Sequence, residues 1–271
     1  MMFIQVKNNT YHVEICGQGF PIVFFHGFTG STKTWAPIIE KLSQKFTCIA
    51  IDLPGHGKTK VTELESMEQA CVELVEVLDK LQVNTFHLIG YSMGGRTALV
   101  LTSKFPERVK RLILVGASPG LEGEAKIERV QTDEKLANFI KTKGISTFVE
   151  YWENIPLFHT HDKLPNDVKK QLRNERLSQN EEGLILSLKT MGTGKQPTIW
   201  PKLKNITTPT LLVTGSLDEK FTKINEKMLQ LMPNAKHEIV EGVGHAVHLE
   251  NPIVFGNIVD RFLNVNEMEE I

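Results

Sequence analysis

No stretch of about eighteen consecutive apolar residues occurs in this sequence, so no membrane-spanning helix is expected. The opening MMFIQVKNNT has neither a basic lead-in nor a long apolar segment, and no secretion signal is expected. Excess charge is missing too: 31 basic residues face 32 acidic ones, a net −1. So small a field gathers neither nucleic acid nor an anionic membrane, and an anionic ligand would have to be met by a few placed cations. Cysteine is scarce. Cys16, Cys48 and Cys71 fit neither a disulfide framework nor a zinc pattern, and all three are expected to be small buried side chains. Internal repeats, low-complexity tracts, a dinucleotide fingerprint and a P-loop are all absent. What remains is the expectation of a soluble, cytoplasmic, monomeric protein with no metal and no cofactor. Its 271 residues, 41% hydrophobic, suffice for a sizeable core.

What is present alternates. Residues 2–7 and 10–16 read as two strands joined at Asn8-Asn9. Apolar runs at 21–25, 46–51, 85–90, 111–116 and 210–214 suit strands covered on both faces, and 236–240 reads as a further strand. Between them, residues 32–43 (capped by Ser31), 66–82, 93–104, 221–231 and 246–263 have helical spacing. That order argues for an α/β fold, a mostly parallel sheet flanked by helices, with ligands bound beyond the carboxyl ends of the strands. From 119 to 202 no strand-like run appears. The segment is polar and helix-like, broken at Gly144, Pro156, Pro165 and Gly192-Thr193-Gly194, and is expected to be a helical lid inserted into a core of residues 1–118 and 203–271. The acidic tail Asn264–Ile271 is expected to fray.

The chemistry is concentrated at Gly90-Tyr91-Ser92-Met93-Gly94. Glycines two residues either side of a serine, between a strand and a helix, make a nucleophile elbow. A serine hydroxyl needs a histidine to take its proton and a carboxylate to orient that histidine. Asp218 follows the strand 210–214 and His245 follows the strand 236–240, in the chain order such elbows require and at the same sheet edge. Ser92, Asp218 and His245 are the candidate catalytic residues. Backbone N–H groups of Met93 and of Phe28, in His26-Gly27-Phe28, are the candidate oxyanion donors. The side chain of His26 and the turn Asp52-Leu53-Pro54-Gly55-His56-Gly57 read as structural braces. His159 and His161 read as a surface pair.

These residues, with His26-Gly27-Phe28-Thr29-Gly30-Ser31, resemble the α/β-hydrolase superfamily over essentially the whole chain. A narrower resemblance rests on Gly90-Tyr91-Ser92-Met93-Gly94-Gly95-Arg96 and on stretches of the lid: 128–133, 152–158, 176–180 and 191–196. There the sequence is similar to the 2-succinyl-6-hydroxy-2,4-cyclohexadiene-1-carboxylate synthases of menaquinone biosynthesis. The resemblance implies a lyase that eliminates pyruvate from a small anionic enolpyruvyl substrate, with Ser92 as a base backed by His245 and Asp218. It also implies substrate contacts from Tyr91, Arg96, Arg129, Trp152, Phe158 and Arg176, the arginines clamping carboxylates. Arg96 stands one helical turn beyond Ser92, where a charge would be costly and idle in an enzyme for neutral esters. The alternative is a serine hydrolase of small esters or carbon–carbon bonds. A noncatalytic receptor on the same scaffold would not need the full set of Ser92, Asp218 and His245. Dehalogenases and epoxide hydrolases carry an aspartate where this elbow has serine.

Overall fold

The computed structural model describes residues 1–264, and the acidic tail beyond Asn264, expected to fray, lies outside them. The strands are β1 (Met2–Val6), β2 (Asn9–Cys16), β3 (Pro21–Phe25), β4 (Thr47–Ile51), β5 (Phe86–Tyr91), β6 (Val109–Val115), β7 (Thr210–Gly215) and β8 (Ala235–Val240). They form one sheet in the order β1-β2-β4-β3-β5-β6-β7-β8. Pairings β1–β2 and β2–β4 are antiparallel and all others parallel. The helices α1 (Ala36–Leu42), α2 (Met67–Lys80), α3 (Met93–Lys104), α7 (Glu219–Leu231) and α9 (Pro252–Leu263) flank it. This is the arrangement that the α/β-hydrolase resemblance implies.

The unbroken apolar strands follow from coverage of both faces. Successive side chains of a strand point to opposite faces. Val23, Phe25 and Leu88 accordingly join a cluster with residues of α2 and α3, while Ile22, Phe24 and Ile89 join another with residues of α1 and α9. In β3, β4, β5 and β7 neither face meets water, so neither needs polar residues, whereas β8 at the sheet edge is half-exposed and carries Lys236, His237 and Glu238.

After β3 the chain turns to β4 on one side, then crosses to β5 on the other. The crevice between the carboxyl ends of β3 and β5 is therefore a topological switch point, where ligands of such sheets bind. The loop after β3 carries Phe28 and the turn after β5 carries Ser92.

Between β6 and β7 the described residues form helices only: α4 (Gly123–Glu153), a 3₁₀ segment (Pro156–Lys163), α5 (Asn166–Leu177), α6 (Glu181–Met191) and a second 3₁₀ turn (Trp200–Asn205). Gly144, at φ 77°, kinks α4, and Glu181 accepts the Ile145 N–H there at 2.8 Å. Ala137, Ile140 and Phe148 of α4 pack on Leu184 and Leu188 of α6, a small core apart from that of the sheet.

Three local expectations need correcting. The first turn lies at Lys7-Asn8, because Asn9 is paired with Val6 and its side chain is drawn inward to Glu73, at 2.7 Å. The stretch 246–263 is two helices, α8 (Val247–Glu250) and α9, since Pro252 lacks an N–H and Asn251 caps the second helix through Val254 N–H at 3.2 Å. Cys16 is exposed, being the last residue of β2, whereas Cys48 and Cys71 are buried. No helix among the described residues is long and apolar enough to cross a membrane.

Candidate active site

Ser92 joins β5 to α3 at φ 51°, ψ −109°, a strained backbone for a residue with a side chain. Two bonds hold it there: its N–H donates to the Val115 carbonyl at 2.8 Å, and its carbonyl accepts the Arg96 N–H at 2.9 Å. The turn can close only without side chains at its ends. A Cβ at Gly90 would strike the backbone of Gly94, and one at Gly94 would strike the carbonyls of Phe25 and His26.

His245 brings Nε2 to 3.1 Å from Ser92 Oγ and Nδ1 to 2.7 Å from Asp218 Oδ2. Asp218 caps α7, its Oδ1 accepting the Phe221 N–H at 3.2 Å, so its carboxylate is oriented by the helix it starts. The three residues that the sequence places at three strand ends thus form one hydrogen-bonded chain. In it the imidazole can take a proton from the serine while the carboxylate steadies the resulting charge.

Phe28 and Met93 both line the cavity in front of Ser92, and their N–H groups have no partner among the described residues. Met93 is the first residue of α3, where N–H groups are left free by the helix and favour negative charge. The bracing roles of His26 and Asp52 also appear. His26 Nε2 accepts the Leu53 N–H at 2.9 Å, and the Asp52 carboxylate takes Thr32 N–H at 2.6 Å, Lys58 N–H at 2.8 Å and His12 Nδ1 at 2.7 Å.

The cavity, of about 370 Å³, is lined by Tyr91, Ser92, Arg96, Arg129, Trp152 and Phe158, among others. Arg96 is buried, and Nη1 donates to the Met191 carbonyl at 2.9 Å and to Gln196 Oε1 at 3.4 Å. Burial, with Arg129 nearby, lowers its pKa to about 10, so it stays charged at neutral pH. Among the described residues no carboxylate is in salt-bridge contact with it, and Asp133, which favours its charge from further off, is itself paired with Arg129. Arg129 is turned sideways: Nε pairs with Asp133 Oδ1 at 2.7 Å, and Asp133 Oδ2 accepts the Gly194 N–H at 3.0 Å. Trp152 sits edge-on to Phe28 and Phe158, at 5.4 and 5.8 Å, and the three make an apolar wall. Burial raises the Tyr91 phenol well above its ordinary pKa, so it remains a donor.

Arg176 is placed differently from its companions. It borders a smaller neighbouring cavity of about 30 Å³ with Tyr91, Phe28 and Phe158, its guanidinium 5.0 Å above the Phe158 ring. It is buried, Nε has no partner, and burial lowers its pKa to about 10. His161 is not on the surface as expected. It is buried and stacked on Phe158 at 4.9 Å, whereas His159 is exposed. A residue that sequence reasoning missed is Lys220, which borders the cavity in front of Ser92. Its place two residues after Asp218, in the first turn of α7, was the available signal.

Several histidines close to this site are held neutral. Burial is the largest cause at His56, His161 and His248, each lowered to about 3. An unfolded chain protonates these groups below about 6.5, so between there and about 3 it binds more protons than the folded one and stability falls with acid. Three such groups give a slope on the order of 4 kcal/mol per pH unit. The urea unfolding midpoint is therefore expected to drop sharply between pH 7 and pH 5; an equal midpoint at both would show that these rings protonate without unfolding.

Comparison with known proteins bears on this geometry. Residues 21–252 match the family described as alpha/beta hydrolase fold. A Bacillus subtilis (strain 168) protein, provisionally named 2-succinyl-6-hydroxy-2,4-cyclohexadiene-1-carboxylate synthase, is 43% identical over 247 residues, 89% of each chain. A Photorhabdus laumondii protein of that name is 30% identical over 254 residues, covering 92% of this chain and 87% of its own. The solved structure of MenH from S. aureus superposes with a TM-score of 0.89 at 36% identity, over 93% of this chain and 97% of that one.

Proposed function

We infer the activity from one premise: the chain belongs to the α/β-hydrolase family and, within it, to the 2-succinyl-6-hydroxy-2,4-cyclohexadiene-1-carboxylate synthases. It is a carbon–oxygen lyase of menaquinone biosynthesis. It eliminates pyruvate from 2-succinyl-5-enolpyruvyl-6-hydroxy-3-cyclohexene-1-carboxylate. The two names determine the bond changes. A 3-ene becomes a 2,4-diene, so a proton leaves C2, the double bond shifts, and the C5–O bond breaks. The departing enolpyruvate takes up a proton to become pyruvate. The step is balanced without oxidant, reductant or added water.

We assign the roles as follows. Ser92, relieved of its proton by His245, removes the C2 proton, and Asp218 steadies the imidazolium. The carbanion is conjugated with the succinyl carbonyl, and the N–H groups of Phe28 and Met93 receive the charge that gathers on that oxygen. Arg96 and Arg129 meet carboxylates of the substrate, with Arg176 as a third clamp entered past Phe158. Tyr91 donates to the substrate beside them. Trp152 and Phe158 exclude water, and the helices of residues 119–202 act as the lid. A cytoplasmic, monomeric enzyme that needs no cofactor suits this reaction.

The observation that carries the reading is one cavity holding both a serine bonded to a histidine and, one helical turn away, a buried arginine with no carboxylate in salt-bridge contact among the described residues. A hydrolase of neutral esters offers that charge no carboxylate to meet. Incubation with the enolpyruvyl substrate is expected to release one pyruvate per diene formed, followed by coupled lactate dehydrogenase and by diene absorbance. Cleavage to an acid without pyruvate would replace the lyase by the hydrolase.

A further inference from the structure

The loop that carries His245 is clasped by one carboxylate. Glu250 Oε2 accepts the Gly244 N–H at 2.7 Å, and Oε1 accepts the Ala246 N–H at 3.2 Å. The two donors are the backbone neighbours of His245 on either side. Glu250 closes α8, and its own N–H donates to the Ala246 carbonyl at 2.9 Å, so clasp and loop belong to one short turn. Its side chain is only 5% exposed. A buried carboxylate is retained only where strong donors replace water, and two backbone N–H groups do so here, with His161 Nε2 further off at 3.8 Å.

We propose that Glu250 is a positioning residue for His245, a role that rests on the assignment of Ser92, Asp218 and His245 made above. The imidazole is fixed at one end by the 2.7 Å bond to Asp218, but its reach to Ser92, 3.1 Å, depends on where the backbone of residue 245 sits. Other contacts leave that backbone less defined. The Leu217 N–H holds Val243, two residues upstream, at 3.0 Å. The rings of Phe221 and Tyr91, 4.6 and 5.3 Å from the His245 ring, limit its tilt and not its advance. Thr160, from the 3₁₀ segment between α4 and α5, packs so closely on Gly244 that a Cβ there would clash, but it makes no hydrogen bond to the loop. Glu250 bonds the backbone on both sides of His245. A carboxylate suits the task because both its oxygens accept; an amide of the same shape offers one oxygen and turns an N–H₂ toward the other donor.

Glu250→Gln tests this. Loss of alignment at the proton-transfer step is expected to lower kcat about 10- to 100-fold. KM should stay within about twofold, because Glu250 does not line the cavity in which substrate is held. Glu250→Asp, which keeps the charge but cannot span both donors, should lose activity too, and it carries the test if the glutamine enzyme does not fold. The low-field proton resonance of His245 Nδ1–H, read on folded molecules alone, should shift or broaden in either variant. A merely stabilising residue would leave kcat per folded molecule and that resonance unchanged, and this result would overturn the proposal. His245→Ala serves as the control. If it is inactive while the Glu250 variants match the parent, the clasp fails and the triad stands; if His245→Ala is active, the triad assignment fails first.

Discussion

Ser92→Ala is expected to lower kcat for pyruvate release by at least about 10³-fold with KM changed little. The alanine leaves the cavity, its cations and its oxyanion donors in place, so substrate should still bind. What is lost is the one oxygen that His245 can activate, 3.1 Å from its Nε2. Because the triad acts as a unit, His245→Ala should cost about as much, and the double variant little more. The parent enzyme under turnover should show no covalent mass increase, since a base returns its proton and forms no adduct. A Ser92→Ala enzyme with more than about a tenth of the parent kcat would remove the serine from the mechanism. A trapped ester on Ser92 would make it a nucleophile.

Arg96→Ala should reduce kcat/KM for the enolpyruvyl substrate by about 10²- to 10³-fold, the usual loss when one partner of a buried, hydrogen-bonded charge pair is removed. Arg96 also donates to Met191 and Gln196, and so ties α3 to the end of α6. Two comparisons separate the roles. Arg96→Lys keeps a charge but not the planar fork, and should recover little of the loss. A neutral test ester, if turned over slowly by the same serine, should lose less than about tenfold in Arg96→Ala, having no carboxylate to miss. Equal losses on both substrates would mean that Arg96 only supports the helix. The two predictions address different questions: Ser92 concerns how the proton is removed, Arg96 which molecule presents it.

Most of the fold was legible because its signals are local. Runs of apolar residues locate strands buried on both faces, and Ser31 caps the helical segment that follows it with its side chain. The serine elbow declares itself through glycines that no other residue could replace. Boundaries slipped where distant partners intervened. Asn9 joined β2 because Glu73, 64 residues away, accepts its amide. His161 was read as a surface residue because its polar neighbours in sequence gave no hint of Phe158 stacked on it.

Within the site the division is similar. The order and strand-end positions of Ser92, Asp218 and His245 are properties of the sequence alone, as is the presence of Arg96 one turn beyond the elbow. Nothing in the sequence indicated that Arg129 would pair sideways with Asp133, that Arg176 would stand behind Phe158 in a cavity of its own, or that Lys220 would face the substrate space.

What the sequence determined by itself is the frame of the site: a mostly parallel sheet flanked by helices, a serine in a tight turn at its edge, and an aspartate and a histidine in matching order. These follow from short-range rules of periodicity, turn geometry and chain order. Tertiary structure alone decided which cations line the cavity beside that serine and which carboxylate bonds the backbone on either side of His245. Those contacts join residues as far apart as Ser92 and His245, or Arg96 and Met191, and a folded chain sets such distances only through the packing of the helices and loops between them.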